Sequence, residues 1–290
     1  MFKRGIYWLT ALVLMLWLFA YPKVARAESV AMITDIAGVI TEPAASAKTI
    51  NTILAEIEAN TRLQLADAAQ LVVIYLGSGS EYTMRGPALI EFRSSEPVAI
   101  NGAQPVRRAS PLAARGAAVR IRPVGVTQAV LVMRSARPAA RIRLLNLSGT
   151  QTLETQAEFR WQAPQPALKY QFELIDDTGR TLHEAQLETT TLRLPASVQL
   201  IEGVPYTWVV SARLPDGRKY SNAGDFRVAP ANLRVQVEAL RPAVSAPLST
   251  RVAYAAWLDQ MELKDEARKY WRALSAERPE DARLKALAGE

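Results

Sequence analysis

The chain has 290 residues, no cysteine, one histidine and a formal net charge of +7. With no cysteine there are no disulfide staples, so each module must be held by core burial alone, and the usual four-ligand structural zinc site has too few ligands. The charge is too mild to imply a nucleic-acid partner, the more so because four basic residues, Lys3, Arg4, Lys23 and Arg26, lie in the first 27 residues and the remainder carries only +3.

Those first residues read as a secretory signal. Lys3 and Arg4 precede an apolar run from Ile6 to Tyr21, and Ala25-Arg26-Ala27 forms a small-x-small cleavage site before Glu28. The run is short for a membrane-spanning helix, and an uncleaved anchor is the alternative. No later stretch is apolar enough to span a bilayer, so the expectation is an exported, periplasmic chain with no membrane span after cleavage.

Residues 28–106 read as a β module. Leu71 to Leu76 is a short β-rich run, followed by the turn Gly77-Ser78-Gly79-Ser80 and a second run, Glu81 to Met84. Ala88 to Phe92 reads as the next strand after the Gly86-Pro87 break. Ile50, Ile53, Leu54 and Ile57 have helical spacing, which suggests a short helix over Ile50 to Glu58. The order Asp35-Ile36-Ala37-Gly38, then Asn60-Thr61-Arg62-Leu63, then Ala69 through Tyr82 resembles the FecR-type periplasmic domain. Gly77-Ser78-Gly79-Ser80 replaces that family's usual aspartate-glycine-serine turn. A signal segment stands where full-length FecR regulators carry their sigma-factor-binding part, so the resemblance does not imply an anti-sigma role.

Residues 107–141 read as an arginine- and proline-rich connector with a possible β-hairpin. Nine arginines and no acid fall between Arg107 and Arg143. Arg120, Arg122 and Arg134 lie on or beside two strand-like pieces, Ala118 to Arg122 and Gln128 to Met133. They are candidates for contacting phosphate-bearing envelope polymers, because guanidinium forks pair with such groups. The alternative is a solvated basic linker.

Residues 142–230 carry period-two hydrophobicity: Phe159 and Trp161; Tyr170, Phe172 and Leu174; Leu192 and Leu194; Tyr206, Trp208, Val210 and Ala212. Turn signals at Asp176 to Gly179 and Pro215 to Arg218 separate the runs. This is the pattern of an antiparallel sandwich. Trp161 followed by Leu200-x-x-Gly203-x-x-Tyr206-x-Trp208 resembles fibronectin type III and related immunoglobulin-like modules. The resemblance implies a tryptophan buried between sheets and a tyrosine corner. The alternation favours core tryptophans over a sugar-stacking platform.

Residues 248–290 read as a helical tail. Leu258, Ala267, Trp271, Leu274 and Pro279 resemble one tetratricopeptide helix pair, with the turn at Leu263 to Asp265. Tyr254, Trp257, Leu258 and Met261 make one apolar stripe. A single pair cannot stack a solenoid, so it must dock on the sandwich, pair with another chain, or fold only marginally. Tyr254, Trp257 and Met261 are therefore candidate binding residues, with internal packing as the competing role.

Little recommends catalysis. His183 has no G-x-S-x-G nucleophile to serve, there is no glycine-rich phosphate loop, and the adjacent acids Asp176 and Asp177 sit in a turn that favours aspartate. The expectation is a mainly β protein: a FecR-like β domain, an immunoglobulin-like antiparallel sandwich and a short C-terminal helical hairpin. Its expected role is that of a non-enzymatic scaffold binding envelope proteins, without cofactors. Cell-wall or surface polysaccharide is the alternative partner, and a hydrolase with an unrecognised site is a third reading.

Overall fold

The computed structural model describes residues 28–43, 49–50, 52–109, 142–163, 169–213 and 217–289. The signal segment and the connector strands expected at 118–122 and 128–133 lie outside them. The described residues are mainly β, with seventeen strands and four helices.

The first module is two facing sheets. One has the order β3-β1-β5-β6-β9, made of Glu56–Glu58, Ser29–Ala37, Gln70–Tyr75, Ser80–Arg85 and Val106–Ala109. The other has the order β2-β4-β7-β8, made of Ile40–Thr41, Arg62–Leu65, Ala88–Phe92 and Pro97–Asn101. The expected hairpin is β5 and β6, joined across Leu76 to Gly79. β5 is apolar on both faces for a physical reason: Leu71, Val73 and Tyr75 enter the module core, while Ile74 faces the helices. A strand covered on both sides loses the polar half of its alternation.

The helix expected over Ile50 to Glu58 does not form. Its C-terminal part is β3, paired antiparallel with β1, and Leu54 has φ +64, which no helix interior allows. The helical spacing arises because the segment straddles two cores. Ile53 and Leu54 face the helices, whereas Ile57 enters the β module.

The second module is an immunoglobulin-like sandwich. A three-stranded sheet, β10-β12-β15 (Arg143–Leu144, Glu158–Gln162, Thr191–Arg193), faces a five-stranded one. The latter is β11-β17-β16-β13-β14 (Thr150–Thr152, Lys219–Val228, Pro205–Arg213, Tyr170–Ile175, Thr181–Leu187), antiparallel except for the β11–β17 pair. Trp161, Phe172 and Trp208 are buried between the sheets, with Phe159 5.1 Å from Trp208 and 4.9 Å from Phe172. Tyr206 forms the corner, its hydroxyl accepting the Ile201 amide at 2.7 Å. The Trp208 indole donates to the Leu147 carbonyl at 2.7 Å, and Gly224, opposite it on β17, leaves room for that bond. A Cβ at Gly224 would sit 2.9 Å from the indole nitrogen and 3.0 Å from that carbonyl oxygen.

Four helices follow: α1 (Ala231–Leu240), α2 (Leu248–Gln260), α3 (Lys264–Glu277) and α4 (Ala282–Ala288). α1 falls between the two segments assigned from sequence, and the α2–α3 turn lies at Met261 to Leu263, slightly earlier than expected. The helices dock on both β modules. α2 packs on β1 and β5, placing Val252, Ala253 and Ala256 in one cluster with Met32, Ile53, Leu54 and Ile74. The α2–α3 turn is strapped to β11. The Gln151 amide donates to the Glu262 carbonyl at 2.7 Å, the Thr150 hydroxyl to the same oxygen at 2.9 Å, and the Lys264 amide to Thr150 Oγ1 at 3.1 Å.

Candidate binding site

The structure separates the residues singled out from sequence. Tyr254 and Trp257 are 1% and 2% exposed, so the stripe they form is interior and not a groove for a partner. The Tyr254 hydroxyl donates to the Val237 carbonyl of α1 at 2.9 Å, and its ring lies 5.0 Å from that of Tyr270 on α3. Every residue from Val252 to Leu258 is buried, because α2 is enclosed by the first module on one side and by α1 and α3 on the other. Met261, at the end of α2, packs partly buried against the same cluster. Arg120, Arg122 and Arg134 lie outside the described residues. His183 sits on the edge strand β14, its ring 6.3 Å from that of Phe172.

Two hollows lie where the helices meet the β modules. The first, about 410 Å³, runs between the outward face of β10 and β12 and the side of α3. Arg143, Leu145 and Arg160 share one wall because alternate residues of paired strands face the same way. Arg268, Lys269 and Arg272 line the other. Asp265 is engaged at its floor: one oxygen accepts the Leu147 amide at 2.7 Å and the other pairs with Arg268 at 2.7 Å. Glu266 pairs with Lys269 at 2.6 Å. Among the described residues Arg143, Arg160 and Arg272 have no ion-pair partner, while Glu154 and Glu158 add negative charge at the rim. Of the arginine-rich stretch, Arg143 lies at this cleft.

The second hollow, about 350 Å³, lies between the first module and the start of α2. It is bordered by Asp35, Glu81, Thr83, Arg85, Arg108 and Ser249. Glu81 is 4% exposed, and its Oε2 has no hydrogen-bond partner. Burial pushes its carboxyl above the usual carboxylate range, against the opposing pull of the Ser249 hydroxyl and Arg108; Asp35 adds to the upward push. Sequence reading placed Glu81 in a strand but could not show its burial, which follows from the docking of α2. Among the described residues no group of three or more histidine, aspartate or glutamate side chains is placed to hold a metal ion.

No family model matches this chain, and no curated protein does. Among solved structures the chain is similar to CopC from Methylosinus trichosporium OB3b, at 18% identity over 31% of this chain and 96% of that one, with a TM-score of 0.24. It is also similar to the fn3 domain of the human collagen alpha-1(XX) chain, at 19% identity over 39% of this chain and 91% of that one, again with a TM-score of 0.24.

Proposed function

We propose that this chain is a non-enzymatic binding and scaffold protein of the bacterial envelope, acting in the periplasm through protein–protein contacts. The observation that carries the reading is the helical unit: it packs on one β module and is strapped to the other, so both are presented as one body. A scaffold needs such fixed spacing between its surfaces. The signal-like first residues and the FecR-type pattern of the first module support the placement. Because Tyr254 and Trp257 are interior, the partner surface lies on the outward faces of the modules. Crosslinking of the full chain in intact cells, followed by mass spectrometry, tests this. Adducts to a defined protein through residues of either β module support the reading; a chain that yields no protein adduct overturns it.

The alternative partner is an anionic cell-wall or surface polysaccharide. The guanidinium groups of Arg143, Arg160 and Arg272 around the first cleft, without ion-pair partners among the described residues, favour it. It predicts sedimentation with purified wall material that weakens steeply as salt screens the charges. No sedimentation at low salt would remove it.

A further inference from the structure

The outer face of the β1-β5-β6-β9 sheet divides into a dry part and a polar part. Strand register sets Met32, Ile74, Glu81 and Arg108 in one cross-strand row. Asp35, Val72, Thr83 and Val106 form the next, and Gln70 and Arg85 a third. α2 covers Met32 and Ile74 and stops there. Its first turn, at Pro247 and Ser249, overhangs Glu81 and leaves the second hollow open above the remaining polar rows.

That first turn lacks an anion of its own. Pro247 at the cap position supplies no side-chain acceptor, and no acid stands in the first turn of this 13-residue helix. Unpaired amides and the helix dipole favour a negative group there. Arg85 and Arg108 border the same space, and neither has an ion-pair partner among the described residues. Glu81 closes the far end with an oxygen that has no donor and no access to water. A buried carboxyl oxygen left so is costly unless the group is neutral, and a neutral Glu81 places no charge beside the helix end.

We propose that this hollow is a binding site for a small oxyanion, a carboxylate or phosphate group, seated at the first turn of α2 between Arg85 and Arg108 and against Glu81. The upward push of burial on Glu81 favours its neutral form, which keeps a competing negative charge away from the helix end. Asp35, the other acid of the site, is already engaged by Arg278 at 3.2 Å and by the Ile36 amide at 2.9 Å. Ionised Glu81 would instead place its own charge beside the helix end and repel the ligand. Occupancy therefore falls as pH rises through the Glu81 titration.

The site is independent of the scaffold reading and is tested separately. Calorimetric titration of the full chain with inorganic phosphate and with acetate, at a series of pH values rising from the ordinary carboxylate range, reads it directly. Saturable binding by either anion, tighter at the lower pH values, is expected, and the anion that binds identifies the ligand chemistry. Arg85 and Arg108 are exposed, so Arg85→Ala and Arg108→Ala should fold and each weaken binding about tenfold. Glu81→Gln, neutral at every pH, should bind with no such pH dependence. Absence of saturable binding by both anions, or wild-type affinity in both arginine variants, overturns the site.

Discussion

Asp281 accepts the backbone amide of Ile53 at 3.0 Å across 228 positions of sequence. Its other carboxylate oxygen caps α4, taking the amides of Arg283 at 2.9 Å and Leu284 at 3.0 Å. One side chain therefore starts a helix and holds the first module to it. Asp281→Ala removes a helix cap and leaves a buried amide without an acceptor, at a combined cost of about 3 kcal/mol. Denaturant unfolding of the full chain measures this, and a loss below about 1 kcal/mol would mean that the contact carries little.

Trp208 and Trp161 are both buried in the sandwich, yet only Trp208 has a bonded indole N–H. Trp208→Phe should cost more than Trp161→Phe by about 1–2 kcal/mol, since it also strands the Leu147 carbonyl. Gly224→Ala drives a methyl into that bond and should cost about 1–3 kcal/mol. Thermal melts of the three variants rank them, and equal costs for the two tryptophans would dismiss the bond as a stabilising element.

Truncation after Pro247 deletes α2, α3 and α4 and uncovers Met32, Ile53, Leu54 and Ile74. The sandwich keeps its own separate core. Such a chain should bind a hydrophobic dye at the first module while retaining the near-ultraviolet signal of the packed tryptophans. Dye binding no greater than that of the full chain would show that this face does not depend on the helices for cover.

Asp259 accepts the Trp271 indole N–H at 2.8 Å, and burial raises its carboxyl above the ordinary range against that bond's downward pull. A carboxyl raised in the folded state binds a proton more tightly there than when unfolded. Its contribution to stability is thus fully present below the unfolded-state value and is lost as pH rises through the folded one. Asp259→Asn, which can still accept from Trp271, should flatten that part of the stability–pH curve; an unchanged slope would assign it elsewhere.

Much of the sandwich was legible in sequence because each strand buries one face, so Tyr170, Phe172 and Leu174 alternate with exposed or partly exposed neighbours. The β5 run was legible for the opposite reason, being covered on both sides. Reading failed where one segment serves two cores. Ile53 and Leu54 point to the helices and Ile57 to the β module, which imitates a helical face. The Tyr254–Trp257 stripe was visible, but its enclosure depends on a surface 200 residues away in the chain, formed by Ile53 and Leu54. Glu81 carried no signal at all, since a glutamate in a strand looks the same whether or not a helix end later settles above it.

The helices that seat both β modules follow them in sequence, and synthesis runs from the amino-terminal side. The first module therefore emerges with Met32, Ile53, Leu54 and Ile74 uncovered, and they stay so until α2 has been made. During that interval the nascent chain shows a sticky face to its surroundings, and any chaperone that shields it must let go when the final helices arrive. Folding of the first module is in this sense completed by helices that begin only at Leu248, so an early domain stays unfinished until a much later segment reaches it.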